Sequence, residues 1–216
     1  MTISSIQTVI DMNQQTIDHL EAQDYYRAVA SASSALQHLG NITATQQDRF
    51  LQASTSPASS FDQCILLTRI AENDDTPHQD DSPPFIYSDA IPLAPTVTNY
   101  AIVAPVLMFN AALAHHLIAK QDKERSIQYL YRAKQLYTLA YNSQDIQQNP
   151  LFQFVLYNNT ALIDLQIGNT ESWNASIFYL LSIYMILVDQ GRSSHLRHIR
   201  GFLRNLPVAT PTAPAA

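Results

Sequence analysis

The sequence predicts an all-α fold: three antiparallel helix hairpins stacked in an array, with a long insertion between helices two and three. Three observations carry this. Apolar residues recur at helical spacing in six stretches. Of only four glycines, Gly40, Gly168 and Gly191 each directly follow such a stretch, where a left-handed residue ends a helix. Linkers within each pair are one to three residues, short enough to force hairpins.

The first helix is expected over residues 4–22, with Ile6, Ile10, Ile17 and Leu20 on one side. The second covers 24–39, capped by Asp24, and its stripe is Tyr25, Ala28, Val29, Ala32, Ala35, Leu36 and Leu39. The third covers 97–120. Pro105 falls inside it, so the helix either starts near Ala104 or kinks. The fourth spans 123–142 behind Asp122. The fifth spans 150–167, where Asn149 and Pro150 read as N-cap and first helical residue. The sixth spans 171–190, with Thr170 as its cap. The last two are apolar on most sides, which predicts that both sit between neighbours.

Residues 41–96 break the periodicity. Polar stretches at 52–60 and 72–81, the latter with five carboxylates, read as exposed and flexible. Two apolar islands, FDQCILLTRI at 61–70 and FIYSDAIPL at 85–93, have strand-like composition and are expected to dock on the helices. The last ten residues, 207–216, are rich in Pro, Ala and Thr and read as a disordered tail. One domain over 1–206 is therefore expected.

Small residues recur across the three pairs: Ala114 and Ala161 in first helices, with Thr16 in the same place, then Ala28, Ser126 and Ala175, and Ala35, Ala133 and Ser182, in second helices. Small side chains let helix axes approach closely. With Gly168 and Tyr25 at turns, this pattern resembles the tetratricopeptide repeat, with longer spacing than the strict 34-residue unit. The segments MFNAALAHHL, YNNTALIDLQIG and FYLLSIYMILVD are also similar to a group of microalgal helical-repeat proteins. The resemblance implies a tetratricopeptide-like binding scaffold without catalysis of its own.

Composition narrows the function classes. Hydrophobic residues make up 46% and charged residues 14%, enough apolar material for a core. A net charge of −6 disfavours nucleic acid, which demands basic excess. No run is long and uninterrupted enough to span a bilayer, so no membrane partner is expected. The first basic residue is Arg27 and the only cysteine is Cys64. Neither a signal peptide nor a disulfide framework is indicated, and an intracellular, cytoplasmic or nuclear, location is expected.

No catalytic, metal or cofactor motif is present, so no catalytic residue, metal ligand or cofactor is assigned. His115 and His116 point about 100° apart on a helix and cannot share one ion. Asn13, Asn110, Asn158 and His115 are groove candidates. An asparagine amide offers donor and acceptor together, which suits gripping a peptide backbone. Equally, such amides, Asn159 among them, fit hydrogen bonds between neighbouring helices. Arg197, Arg200 and Arg204 fall at i, i+3 and i+7 and would form one basic face. The expected function is a protein–protein interaction scaffold that binds an unidentified protein or peptide in the groove of the array. The alternative is a helical enzyme or small-ligand domain whose pocket the 41–96 insertion covers.

Overall fold

The computed structural model describes residues 2–50, 86–94, 97, 100–143, 149–191, 202 and 205, with side-chain surroundings from Ser5 to Ala44 in the first two helices. Among these residues there are six helices and no strand: α1 (Thr2–Glu21), α2 (Tyr25–Phe50), α3 (Tyr100–Gln121), α4 (Ser126–Tyr141), α5 (Pro150–Gln166) and α6 (Thr170–Asp189). Packing is closest within the successive pairs α1–α2, α3–α4 and α5–α6; α2 also lies along α3, and α4 meets α5.

Turn chemistry explains the boundaries. Asp24 accepts from the Arg27 amide (3.3 Å) and Asp122 from the Arg125 amide (3.1 Å). Asn149 caps α5 by accepting from the Phe152 amide (3.0 Å), with Pro150 in the first turn. At α6 the cap is Asn169 rather than Thr170: its side chain accepts from the Ser172 amide (3.1 Å). The α1 and α5 ends share one closing motif. The Asp24 amide bonds the His19 carbonyl and the Gln23 amide that of Leu20, as Asn169 bonds Asp164 and Gly168 bonds Leu165. The left-handed residue is Gly168 (φ 77°) in one and Gln23 (φ 58°) in the other.

Gly40 departs from expectation. It lies within α2, which continues to Phe50. The apolar stripe runs on through Ile42, which is buried, and one helical glycine costs only about 1 kcal/mol against alanine. Pro105 sits inside α3 without ending it, and the helix begins at Tyr100 rather than Val97.

The core gathers on α3 and α5, both buried on nearly every side. Phe109 of α3 meets Tyr137 of α4 and Phe152 of α5, each with ring centroids 5.5 Å apart. Ala28, Ala35, Ala114, Ala133 and Ala161 are buried where helices approach. The last pair is out of register with the expected pattern. Ala175 faces solvent and Ser176, one residue later, faces inward. The expectation that α6 sits between neighbours also fails: its outer side is open.

Residues 86–94 of the insertion pack against the helices in extended form, with Tyr87, Ile91 and Leu93 buried. They form no strand, because their hydrogen-bond partners are side chains. The 61–70 island, the acidic stretch at 72–81, Cys64, Arg197, Arg200, Arg204 and the 207–216 tail lie outside the described residues.

Candidate functional site

The buried asparagines form one connected polar system around the 86–94 segment. Asn110 of α3 accepts from the Ile91 amide (2.8 Å) and donates to the Ile91 carbonyl (2.9 Å) and to Asn13 Oδ1 (2.9 Å). Asn13 of α1 donates to the same Ile91 carbonyl (3.2 Å). The two amides thus hold one residue's N–H and C=O together. Pro92 follows Ile91 and disfavours any helical turn there, which keeps Ile91 extended.

A second clamp holds Tyr87. Asn159 of α5 accepts from the Tyr87 amide and donates to its carbonyl, both at 3.0 Å, and also donates to the Tyr137 hydroxyl (3.1 Å). Asn158 donates to Asn159 Oδ1 (3.0 Å) and accepts from Asn205 (2.7 Å). Asn13, Asn110, Asn158 and Asn159 are all fully or almost fully buried. Amides suit such a place, since they read backbone in both senses without the desolvation cost of a charge.

Side chains close the site. The Tyr87 ring stacks on Phe202 (5.9 Å), and Phe202 meets Phe154 edge-on (4.6 Å). Phe202 and Asn205 therefore pin the Tyr87 end of the segment. Burial pushes the Tyr137 hydroxyl far above its ordinary pKa, with the Asn159 bond acting the other way, so the phenol stays neutral.

His115 does not join this system. Its ring stacks on Tyr129 (5.9 Å) at the α3–α4 contact. Burial, with Arg132 nearby, lowers its pKa to about 4. His116 is wholly buried against Tyr137 (6.3 Å), and burial, with Lys120, lowers it to about 4. Neither ring nitrogen of His116 has a hydrogen-bond partner. Among the described residues no three His, Cys, Asp or Glu side chains gather as a metal site. Of the four groove candidates, Asn13 and Asn110 bond the inserted segment directly, Asn158 is linked to it through Asn159, and His115 stands apart.

Asn159, singled out in sequence only for a structural bond, is the centre of one clamp. Sequence reasoning missed a buried ion pair between Lys134 of α4 and Asp164 of α5. Asp164 is fully enclosed, and the signal available was one carboxylate inside an otherwise uncharged helix. Among the described residues two helices, Ala101–Gln121 and Thr170–Asp189, are long and apolar enough to cross a membrane; the first is mostly buried in the fold, the second mostly not.

No family model matches this chain, and neither a curated protein nor a solved structure does.

Proposed function

We propose that the chain is a non-catalytic protein–protein interaction scaffold: a single tetratricopeptide-like domain over residues 1–206 whose groove takes an extended peptide. One observation carries the reading. Asn110 and Asn159 each bond both the N–H and the C=O of a single residue in an extended segment. This is backbone recognition of the kind strand addition uses, supplied here by side-chain amides, with apolar side chains giving the specificity. The chain's own 86–94 segment holds the groove, and its Tyr87, Ile91 and Leu93 define what fits: an aromatic anchor followed four and six residues later by aliphatic ones. The partner is an intracellular protein or peptide of that pattern. The pocket reading has less support, because the polar groups of this site are amides already engaged with backbone.

A fluorescent peptide of residues 85–94 tests this. A Tyr87→Ala, Ile91→Ala chain, whose own segment has lost its anchors, should bind it at least about tenfold tighter than the wild type. Adding Asn159→Ala should abolish that binding. A folded double variant that ignores the peptide refutes the groove.

A further inference from the structure

α6 turns Ser176, Ile177, Leu180, Ile183 and Leu187 into the core. Its other side presents Phe178, Tyr179, Leu181, Met185, Ile186 and Val188, every one at least 40% exposed. Between Glu171 and Asp189 the helix carries no charge. At 20 residues it is about 30 Å long, so this is one continuous apolar strip, and contiguous strips of that size mark interaction surfaces.

The strip makes little polar demand on what covers it. Ser182, near its middle, has its hydroxyl donating to the Phe178 carbonyl of its own helix (2.9 Å). A protein interface ordinarily carries about one hydrogen bond per 100–200 Å²; within this strip the side-chain groups able to form one are the Tyr179 hydroxyl and the Ser182 oxygen. Charge in the sequence is sharply divided at the end of this helix. All eighteen carboxylates lie at or before Asp189, while residues 190–216 hold four arginines, Arg192, Arg197, Arg200 and Arg204, and no acid. An aromatic and aliphatic helix face followed directly by a purely basic stretch in an acidic chain matches a surface that is apolar below and anionic above.

We infer that the outer face of α6 docks on an anionic lipid bilayer, the helix lying in the headgroup plane. α6 does not span it, because its inner side is committed to α5. By length and apolar composition α6 meets the requirement for crossing a membrane, which is a different requirement from lying on one. Phe178 and Tyr179 enter the acyl boundary, and the arginines that follow in sequence add attraction to anionic headgroups.

Flotation of the full chain with vesicles decides it. Phosphatidylcholine vesicles containing about a third phosphatidylserine should carry the protein at least about tenfold better than phosphatidylcholine alone, and added salt should weaken this. Phe178→Ser with Met185→Ser, both at exposed positions, should lower partitioning by about ten- to a hundredfold with unfolding unchanged. Arg197→Gln, Arg200→Gln and Arg204→Gln together should lower it about tenfold or more and remove most of the salt dependence. Equal flotation of wild type and the serine variant overturns the proposal, as does flotation insensitive to phosphatidylserine. Absence of flotation together with a concentration-dependent dimer that the serine variant abolishes overturns it in favour of a second copy on this face.

Discussion

Replacing Asn110 by alanine should be far more damaging than replacing Asn13, although both amides bond the same carbonyl. Asn110 makes three bonds: it accepts from the Ile91 amide and donates to the Ile91 carbonyl and to Asn13. Its removal leaves the buried Ile91 N–H without its acceptor and Asn13 Oδ1 without a donor. An orphaned buried polar group costs about 1–3 kcal/mol, so Asn110→Ala should lose about 3–5 kcal/mol, a large part of a domain's stability. Asn13→Ala orphans less, because the Ile91 carbonyl keeps Asn110 and the Asn110 amide keeps that carbonyl; about 1–1.5 kcal/mol is expected. Urea unfolding measures both. Amide exchange at Ile91 adds a local readout, and it should accelerate in Asn110→Ala well before global unfolding. If Asn13→Ala costs as much as Asn110→Ala, or the Ile91 amide stays equally protected in the Asn110 variant, the clamp is not organised as described.

Four further outcomes follow from the structure. His116 is held near pKa 4 by burial against about 6.5 unfolded, so the unfolded chain binds more protons between these values; the contribution of this residue to stability is complete above pH 6.5 and should fall by about 2 kcal/mol on titrating to pH 5, with His115 adding to the loss in the same direction. Two glycine exchanges should each stabilise by about 0.5–1 kcal/mol in thermal unfolding: Gln23→Gly, which relieves a left-handed residue, and Gly40→Ala, whose new methyl meets nothing within 4 Å in a continuous helix. Ala133→Leu should destabilise by about 1–3 kcal/mol, since Ala133 is fully buried at a helix contact. Lys134→Met strands the enclosed Asp164 carboxylate and should cost about 3–5 kcal/mol in urea unfolding.

Local signals were the legible ones. Asn149 before Pro150, Asp24 before its helix and Gly168 after one are caps whose partners lie within three to five residues, so spacing alone locates them. Gly40 misled because glycine permits a left-handed stop without requiring it, and the burial of Ile42 decides. Composition marked 85–93 as an extended apolar island. Its partners Asn110, Asn159 and Asn13 lie 19, 72 and 78 residues away, and no periodicity encodes such pairings. The asparagines stood out as amides among apolar neighbours. Whether they would grip a foreign peptide or the chain itself depends on where the insertion goes. In α6 the pattern shows an apolar helix, but whether a neighbour covers its outer side is a tertiary fact.

If the proposed groove takes a partner, the segment that fills it sets how that partner enters. Residue 94 is six positions from the start of α3 at Tyr100, so the segment is tethered at short range and competes at an effective concentration of order millimolar. A peptide arriving from outside must exceed that, and must also break the stack of Tyr87 on Phe202. Loosening Phe202 and Asn205 removes the ring that covers Tyr87 and the donor that holds Asn158, while leaving the Ile91 clamp intact. In the proposed scaffold, exchange therefore begins at the Tyr87 end and proceeds toward Ile91, the end nearer the tether. Phe202→Ala should raise amide exchange at Tyr87 more than at Ile91; equal acceleration at both would mean that the segment leaves as one unit.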